Sequence, residues 1–175
     1  AVTTVGDNTH HTILKNEGSV FGNHGYVGGV VGYLAGGANV YEVINANPKA
    51  NNIYNSSDPY YMQIKVGGFT NEALDVFNKY VGGVFGYITR GGEEISTISN
   101  CTNTGAVCGG STSAACSAIH IGGIVGRMNC HTLYNCVNEG AVSMSENTTS
   151  PVVPSVGGFV GVTNGGANNV AKFEN

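Results

Sequence analysis

The chain has 175 residues, 28 of them glycine and none tryptophan, with 10% charged residues and a net charge of −4. That acidic, sparse charge leaves no basic surface for nucleic acid, and no apolar run approaches the roughly 18 residues that mark a membrane-spanning helix, so no membrane insertion is expected. Hydrophobic residues at 41% exclude a disordered composition, and abundant Gly, Asn, Ser and Thr fit short strands joined by many turns.

In chain order, Ala1-Val2 shares the phase of a Gly-Ala-Val element that recurs later. The adjacent His10 and His11 would point to opposite faces of a strand, a poor metal clamp. Asn16-Glu-Gly-Ser-Val20 opens a recurring Asn-x-Gly-x-Val element. At Val27 begins Val-Gly-Gly-Val-Val-Gly-Tyr33, and the same seven-residue pattern restarts at Val81, Ile121 and Val156, with a partial copy at Val66. Ile53-Tyr-Asn55 introduces another element, repeated as Ile98-Ser-Asn100, Leu133-Tyr-Asn135 and Phe173-Glu-Asn175; its Asn advances by 45, 35 and 40 residues. Between Val66 and Val81 the spacing predicts a short helix over 71–79, capped by Asn71 with Leu74 and Phe77 inward. Asn103-Thr-Gly-Ala-Val107 and Asn138-Glu-Gly-Ala-Val142 complete the later repeats.

Each repeat of 35 to 45 residues therefore offers three apolar runs, none long enough for an ordinary helix. The pattern predicts an all-β fold, a parallel β-solenoid (β-helix) with about three short strands per coil, as a single repeat domain over 1–175. Coils stacked at strand spacing, about 4.8 Å, would place Val31, Phe85, Val125 and Val160 in one core ladder and Ile53, Ile98, Leu133 and Phe173 in another. Asn55, Asn100, Asn135 and Asn175 would then form a corner ladder of hydrogen-bonded amides. Both ends fall within a repeat, so further repeats or other copies of the chain are expected on the open coils, as in an array or a head-to-tail filament.

These elements, Gly-Gly-hydrophobe-x-Gly, Asn-Cys at 100–101 and 135–136, and Asn-x-Gly-Ala-Val, resemble the GLUG-motif repeats of bacterial surface proteins over about residues 16–175. The family's Leu is Val, Phe or Ile here. The resemblance implies a surface location and a repeat architecture, and carries no catalytic residues.

Five cysteines lie between 101 and 136. Cys108 and Cys116 flank a loop that can close into a disulfide. Cys101 and Cys136 share a phase one repeat apart, within bridging reach. Cys130 is left over, and Cys130–Cys136 competes with that second bridge. A zinc site at Cys130-His131 lacks paired Cys-x-x-Cys spacing. Asn147, Asn55 and Asn100 head glycosylation sequons, although the ladder competes for the last two. Clustered cysteines, sequons and few lysines point to an extracellular or cell-surface protein.

No catalytic, metal or cofactor constellation is expected. Glu17 and Glu139 share a phase, but Thr104 replaces them in the matching copy. Tyr54, Tyr60, Tyr61 and Tyr80 offer aromatic contacts for a glycan or a host or cell-surface protein. The expected function is a structural or adhesive segment of a surface adhesin, stalk or filament, not an enzyme. The alternative is a carbohydrate-binding or polysaccharide-cleaving β-helix.

Overall fold

The computed structural model describes residues 3–5, 13–22, 25–35, 38–46, 66–70, 78–89, 97–114, 116–129, 132–145, 148–149, 152–164 and 172–174. These residues hold short strands and no helix. The first five are β1 (Thr3–Val5), β2 (Leu14–Asn16), β3 (Val20–Gly22), β4 (Tyr26–Gly28) and β5 (Val31–Leu34). The next five are β6 (Ala38–Tyr41), β7 (Val43–Asn45), β8 (Val66–Thr70), β9 (Lys79–Gly82) and β10 (Phe85–Ile88). Then follow β11 (Thr97–Ser99), β12 (Thr102–Asn103), β13 (Val107–Ser111), β14 (Ile119–Gly122) and β15 (Val125–Met128). The last are β16 (Thr132–Tyr134), β17 (Val137–Asn138), β18 (Val142–Met144), β19 (Ser155–Gly157), β20 (Val160–Thr163) and β21 (Lys172–Glu174).

Strands five places apart in the chain pair in parallel, giving five sheets among the described residues, one of five strands and four of four. A repeat therefore contains five strands rather than the expected three. The Gly-Gly motif straddles two strands and the Asn-x-Gly-Ala-Val element two more, because each is bent in its middle. In the second repeat, for example, β9 ends at Gly82, the chain turns through Gly83 and Val84, and β10 starts at Phe85. The turn is stitched to the next repeat by Gly83 N–H to Gly122 O (3.2 Å), Val84 N–H to Ile124 O (3.0 Å) and Phe85 N–H to Ile124 O (2.9 Å).

The register fulfils one expected ladder residue by residue: Val31 opposes Phe85, Phe85 opposes Val125 and Val125 opposes Val160. The other ladder needs a correction. Ile98 opposes Leu133, which opposes Phe173, but the partner of Ile98 in the preceding repeat is Val40, not Ile53. Ile53 and Asn55 lie outside the described residues, between β7 and β8. The expected helix over 71–79 also lies outside them through residue 77, and its last residue, Lys79, starts β9.

The interior holds two apolar clusters. The larger joins Val40, Val84, Phe85, Ile88, Ile98, Ile124, Val125, Met128 and Leu133; the smaller joins Val27, Val81, Val107, Cys116, Ile119 and Ile121. On one wall, Gly82-Gly83 separates Val81 of the smaller cluster from Val84 of the larger. Facing Gly83, Asn103 stands between Cys101 and Val107 along the chain. A column of asparagine amides fills the gap between the clusters.

Candidate functional site

Two constructions concentrate the polar chemistry of the described residues: the buried amide column and an aromatic face outside it. In the column, Asn16 Nδ2 donates to Asn45 Oδ1 (2.9 Å), Asn45 Nδ2 to Asn103 Oδ1 (2.8 Å), Asn103 Nδ2 to Asn138 Oδ1 (2.7 Å), and Asn138 Nδ2 to the Gly158 carbonyl (2.7 Å). Asn103 also closes its own turn, donating to Gly105 O (2.8 Å) and accepting from Gly105 N–H (3.2 Å); Asn16 and Asn138 do the same with Gly18 and Gly140. Asn45 and Asn103 are fully buried, and a buried amide is tolerated only when so paired. The column explains the second glycine of the motif. A Cβ on Gly83 would lie 2.3 Å from Asn103 Cγ and 2.1 Å from Gly123 O, so a side chain and the amide cannot coexist.

The corner ladder expected at Asn55, Asn100, Asn135 and Asn175 forms in part. Asn135 Nδ2 donates to Asn100 Oδ1 (2.7 Å), and both residues have positive φ (46° and 53°), a conformation Asn tolerates better than most residues. Asn55 does not hold the equivalent place in the second repeat. Glu42 does, at φ 53°, with its N–H donating to Ser99 O. Asn55, Asn147 and Asn175 lie outside the described residues. The Asn100 amide, a sequon candidate, is the one engaged by Asn135.

None of the four described cysteines is in a disulfide, neither the expected Cys108–Cys116 pair nor Cys101–Cys136. Cys101 and Cys136 occupy equivalent places in adjacent repeats, next to the paired residues Thr102 and Val137. The neighbouring Cys136 thiol, and then burial, raise the pKa of Cys101, and the neighbouring Cys101 thiol lowers that of Cys136; Cys101 Sγ donates to Ser99 O and Cys136 Sγ to Tyr134 O, each at 3.4 Å. The Cys136 sulfur also lies 3.8 Å from Ile98 O of the preceding repeat. Cys116 packs in the smaller core cluster with Val107. Cys108 follows Val107 on β13 and so faces the other side of the strand. Cys130 is outside the described residues.

The aromatic face belongs to residues that bracket each Gly-Gly motif. Tyr26, Tyr80, His120 and Ser155 precede it and stand in register on β4, β9, β14 and β19. Tyr33, Tyr87, Arg127 and Val162 follow it and stand in register on β5, β10, β15 and β20. The two files meet. Ring centroids are 5.6 Å apart for Tyr26–Tyr33, 5.2 Å for Tyr26–Tyr80, 5.1 Å for Tyr26–Tyr87 and 5.2 Å for Tyr80–His120. The Arg127 guanidinium lies 5.1 Å from the Tyr80 centroid and 5.5 Å from that of Tyr87, within cation–π range, and its Nη1 donates to the Tyr80 hydroxyl. Asn78 Nδ2 donates to the same hydroxyl (3.1 Å) and Asn129 Nδ2 to that of Tyr87 (2.9 Å). Burial, then the Arg127 charge, holds the His120 pKa below the usual imidazole value. Tyr26 and Tyr33 are 43% and 51% exposed, whereas Tyr80 is buried.

Of the expected contact aromatics, only Tyr80 is described, and it is the centre of this face; Tyr54, Tyr60 and Tyr61 lie outside the described residues. Tyr26, Tyr33 and Tyr87 were not expected. Their signal is in the sequence: Tyr brackets the motif on both sides at 26 and 33 and again at 80 and 87, and His120 and Arg127 repeat the bracket. Among the described residues no such arrangement gathers carboxylates. Glu17 and Glu139 directly follow Asn16 and Asn138, the two ends of the amide column, three strand steps or roughly 14 Å apart. That exceeds the separation of about 5–9.5 Å at which paired carboxylates hydrolyse a glycosidic bond. Among the described residues no group of three or more metal-ligating side chains is assembled.

No protein-family model, no curated protein and no solved structure matches the chain.

Proposed function

We propose that the five parallel sheets close into a β-solenoid, and that the chain is a segment of an extracellular structural or adhesive rod such as a surface adhesin, stalk or filament. The constant step carries this reading: pairing always to the strand five places on returns the chain to the same wall after each repeat. Such a stack gains stiffness from continuous apolar and amide ladders, and its loops can vary without disturbing the coil.

The same ladders argue for partners on the open edges, either further repeats or other copies of the chain. Val81 and Ile121 are fully buried, yet Val156, in register with Ile121, is 46% exposed at the edge. Leu14, Val137 and Met144 are likewise exposed along the two outer repeats. Unpaired backbone and apolar side chains at one edge are a template for another strand layer. Light scattering and electron microscopy of the purified 175-residue chain test this. End-to-end rods that lengthen with concentration are expected; a compact monomer at every concentration would overturn stacking between copies.

The extracellular reading is supported by the sequons, the cysteine cluster and the resemblance to GLUG-motif surface repeats. It predicts a Cys101–Cys136 disulfide. Incubation with oxidised glutathione converts the two thiols to one disulfide, while two electrons and two protons reduce the oxidant to two molecules of glutathione. Peptide mapping without reduction should find the linked peptides, two hydrogens lighter than the separate ones. The closed loop adds about 3–4 kcal/mol to stability, read as a raised urea midpoint. Full alkylation of both cysteines in the denatured, unreduced protein would sink the bridge.

A further inference from the structure

We propose that the aromatic face bracketing the Gly-Gly motifs is a glycan-binding site, selective for a sugar chain that carries a single carboxylated residue. This assignment rests on the face of a single copy: Tyr26 and Tyr33 lie on the edge strands β4 and β5, so a copy stacked on that edge would cover part of it.

The first argument is shape and polarity. Two files of side chains rise in steps of one strand, about 4.8 Å, through Tyr26 and Tyr33, then Tyr80 and Tyr87, then His120 and Arg127. The outer rings, Tyr26 and Tyr33, are the exposed ones, and their planes are 27° apart. Rigid aromatic rings with hydroxyls at their rims pack against the C–H faces of pyranoses while hydrogen bonding the sugar hydroxyls. Asn78, Ser117 and Asn129 surround the rings with further amide and hydroxyl groups, Ser117 Oγ donating to Asn78 Oδ1 at 2.7 Å.

The second argument is charge. Among the described residues Arg127 is the cation of this face, and no described carboxylate forms an ion pair with it. Its Nη1 is held by Tyr80, and its Nε has no protein partner among the described residues. The described carboxylates whose side chains are placed, Glu17, Glu42 and Glu139, sit by the first two strands of each repeat, away from the fourth and fifth strands that bear the face. One guanidinium that no described carboxylate pairs matches one carboxylate. A densely charged polymer fits less well: each nucleic-acid or heparin-like chain presents many anions, one cation answers one of them, and the net charge of −4 repels the rest.

The test uses the 175-residue chain at a concentration where light scattering shows single molecules, so that failure of stacking and failure of binding are separate results. Titration calorimetry and tyrosine fluorescence are read with sialyl-lactose, lactose and heparin as probes. Sialyl-lactose should bind at least ten-fold tighter than lactose, and heparin should not compete. Arg127→Gln should remove the ten-fold preference, so that the variant binds sialyl-lactose no tighter than it binds lactose. Tyr33→Ala, at an exposed ring, should weaken both sugars at least ten-fold with an unchanged thermal melt. Arg127→Lys retains charge but not the planar fork, and should recover only part of the preference. Equal affinity for the two sugars, no binding of either at millimolar concentration, or heparin outcompeting both would each overturn the assignment.

Discussion

Asn103→Ala is expected to lower stability by about 2–6 kcal/mol, a large share of the roughly 5–15 kcal/mol that holds a domain folded. The substitution strands two donors at once: Asn45 Nδ2, whose acceptor is Asn103 Oδ1, and the Gly105 N–H. It also deprives Asn138 Oδ1 of one of its two donors. Each buried group left unpaired costs about 1–3 kcal/mol, because the alternative partner, water, cannot reach it. The cost should depend on position in the column. Asn16→Ala removes the same kinds of bond at the outer end, where water substitutes, and should cost about 0.5–1.5 kcal/mol. Urea unfolding of the two variants measures the difference. Equal costs, or a cost under about 1 kcal/mol for Asn103→Ala, would mean that the amides do not act as a connected column.

That column marks the boundary of what could be read from residues alone. The repeat, the all-β class and the Val31–Phe85–Val125–Val160 ladder follow from the Gly-Gly-hydrophobe spacing, since apolar residues at a fixed offset from a bend must stack when the bends stack. The strand count did not follow, because a bend inside a seven-residue motif leaves no break in its hydrophobic pattern. Asn55 misled for a different reason. Ile53-Tyr-Asn55 matches the corner element in type, but the strand that pairs with Ile98 is Ala38–Tyr41, followed by Glu42 at the corner. The left-handed corner favours Asn without requiring it, so a match to the motif does not by itself identify the corner residue.

The buried Asn column was present as Asn-x-Gly at 16, 103 and 138, yet that dipeptide spacing ordinarily marks an exposed turn. Its burial depends on Gly29, Gly83 and Gly123 lying opposite, a contact between walls that no local pattern encodes. The tyrosine bracket is less conspicuous in the sequence than the denser aromatic cluster at 54–61. Register, not density, brings rings together on a sheet.

Gly123 and Gly158 occupy the same place in successive repeats and should respond oppositely to alanine. At Gly123 an added Cβ would stand 2.2 Å from Gly158 O and 2.3 Å from Asn138 Cγ and Nδ2. Neither neighbour can retreat, since Gly158 O accepts the Asn138 amide and that amide is held in the column. Overpacking against backbone should cost Gly123→Ala about 3 kcal/mol or more. At Gly158 the added Cβ meets nothing within 4 Å. Gly158→Ala should therefore leave stability unchanged or raise it by about 0.4–1 kcal/mol through the stiffer unfolded chain. Its effect should appear instead in assembly. Gly83 O and Gly123 O each stand about 2 Å from the Cβ position of the preceding repeat's glycine. If a second copy continues the stack, Gly29 O of that copy takes the same place over Gly158, and the alanine methyl blocks it. Urea unfolding should rank Gly123→Ala well below Gly158→Ala, while light scattering should find Gly158→Ala stable and unable to elongate. Rods of ordinary length from the Gly158→Ala chain would show that copies do not continue the glycine–asparagine column, and would move any self-association to another surface.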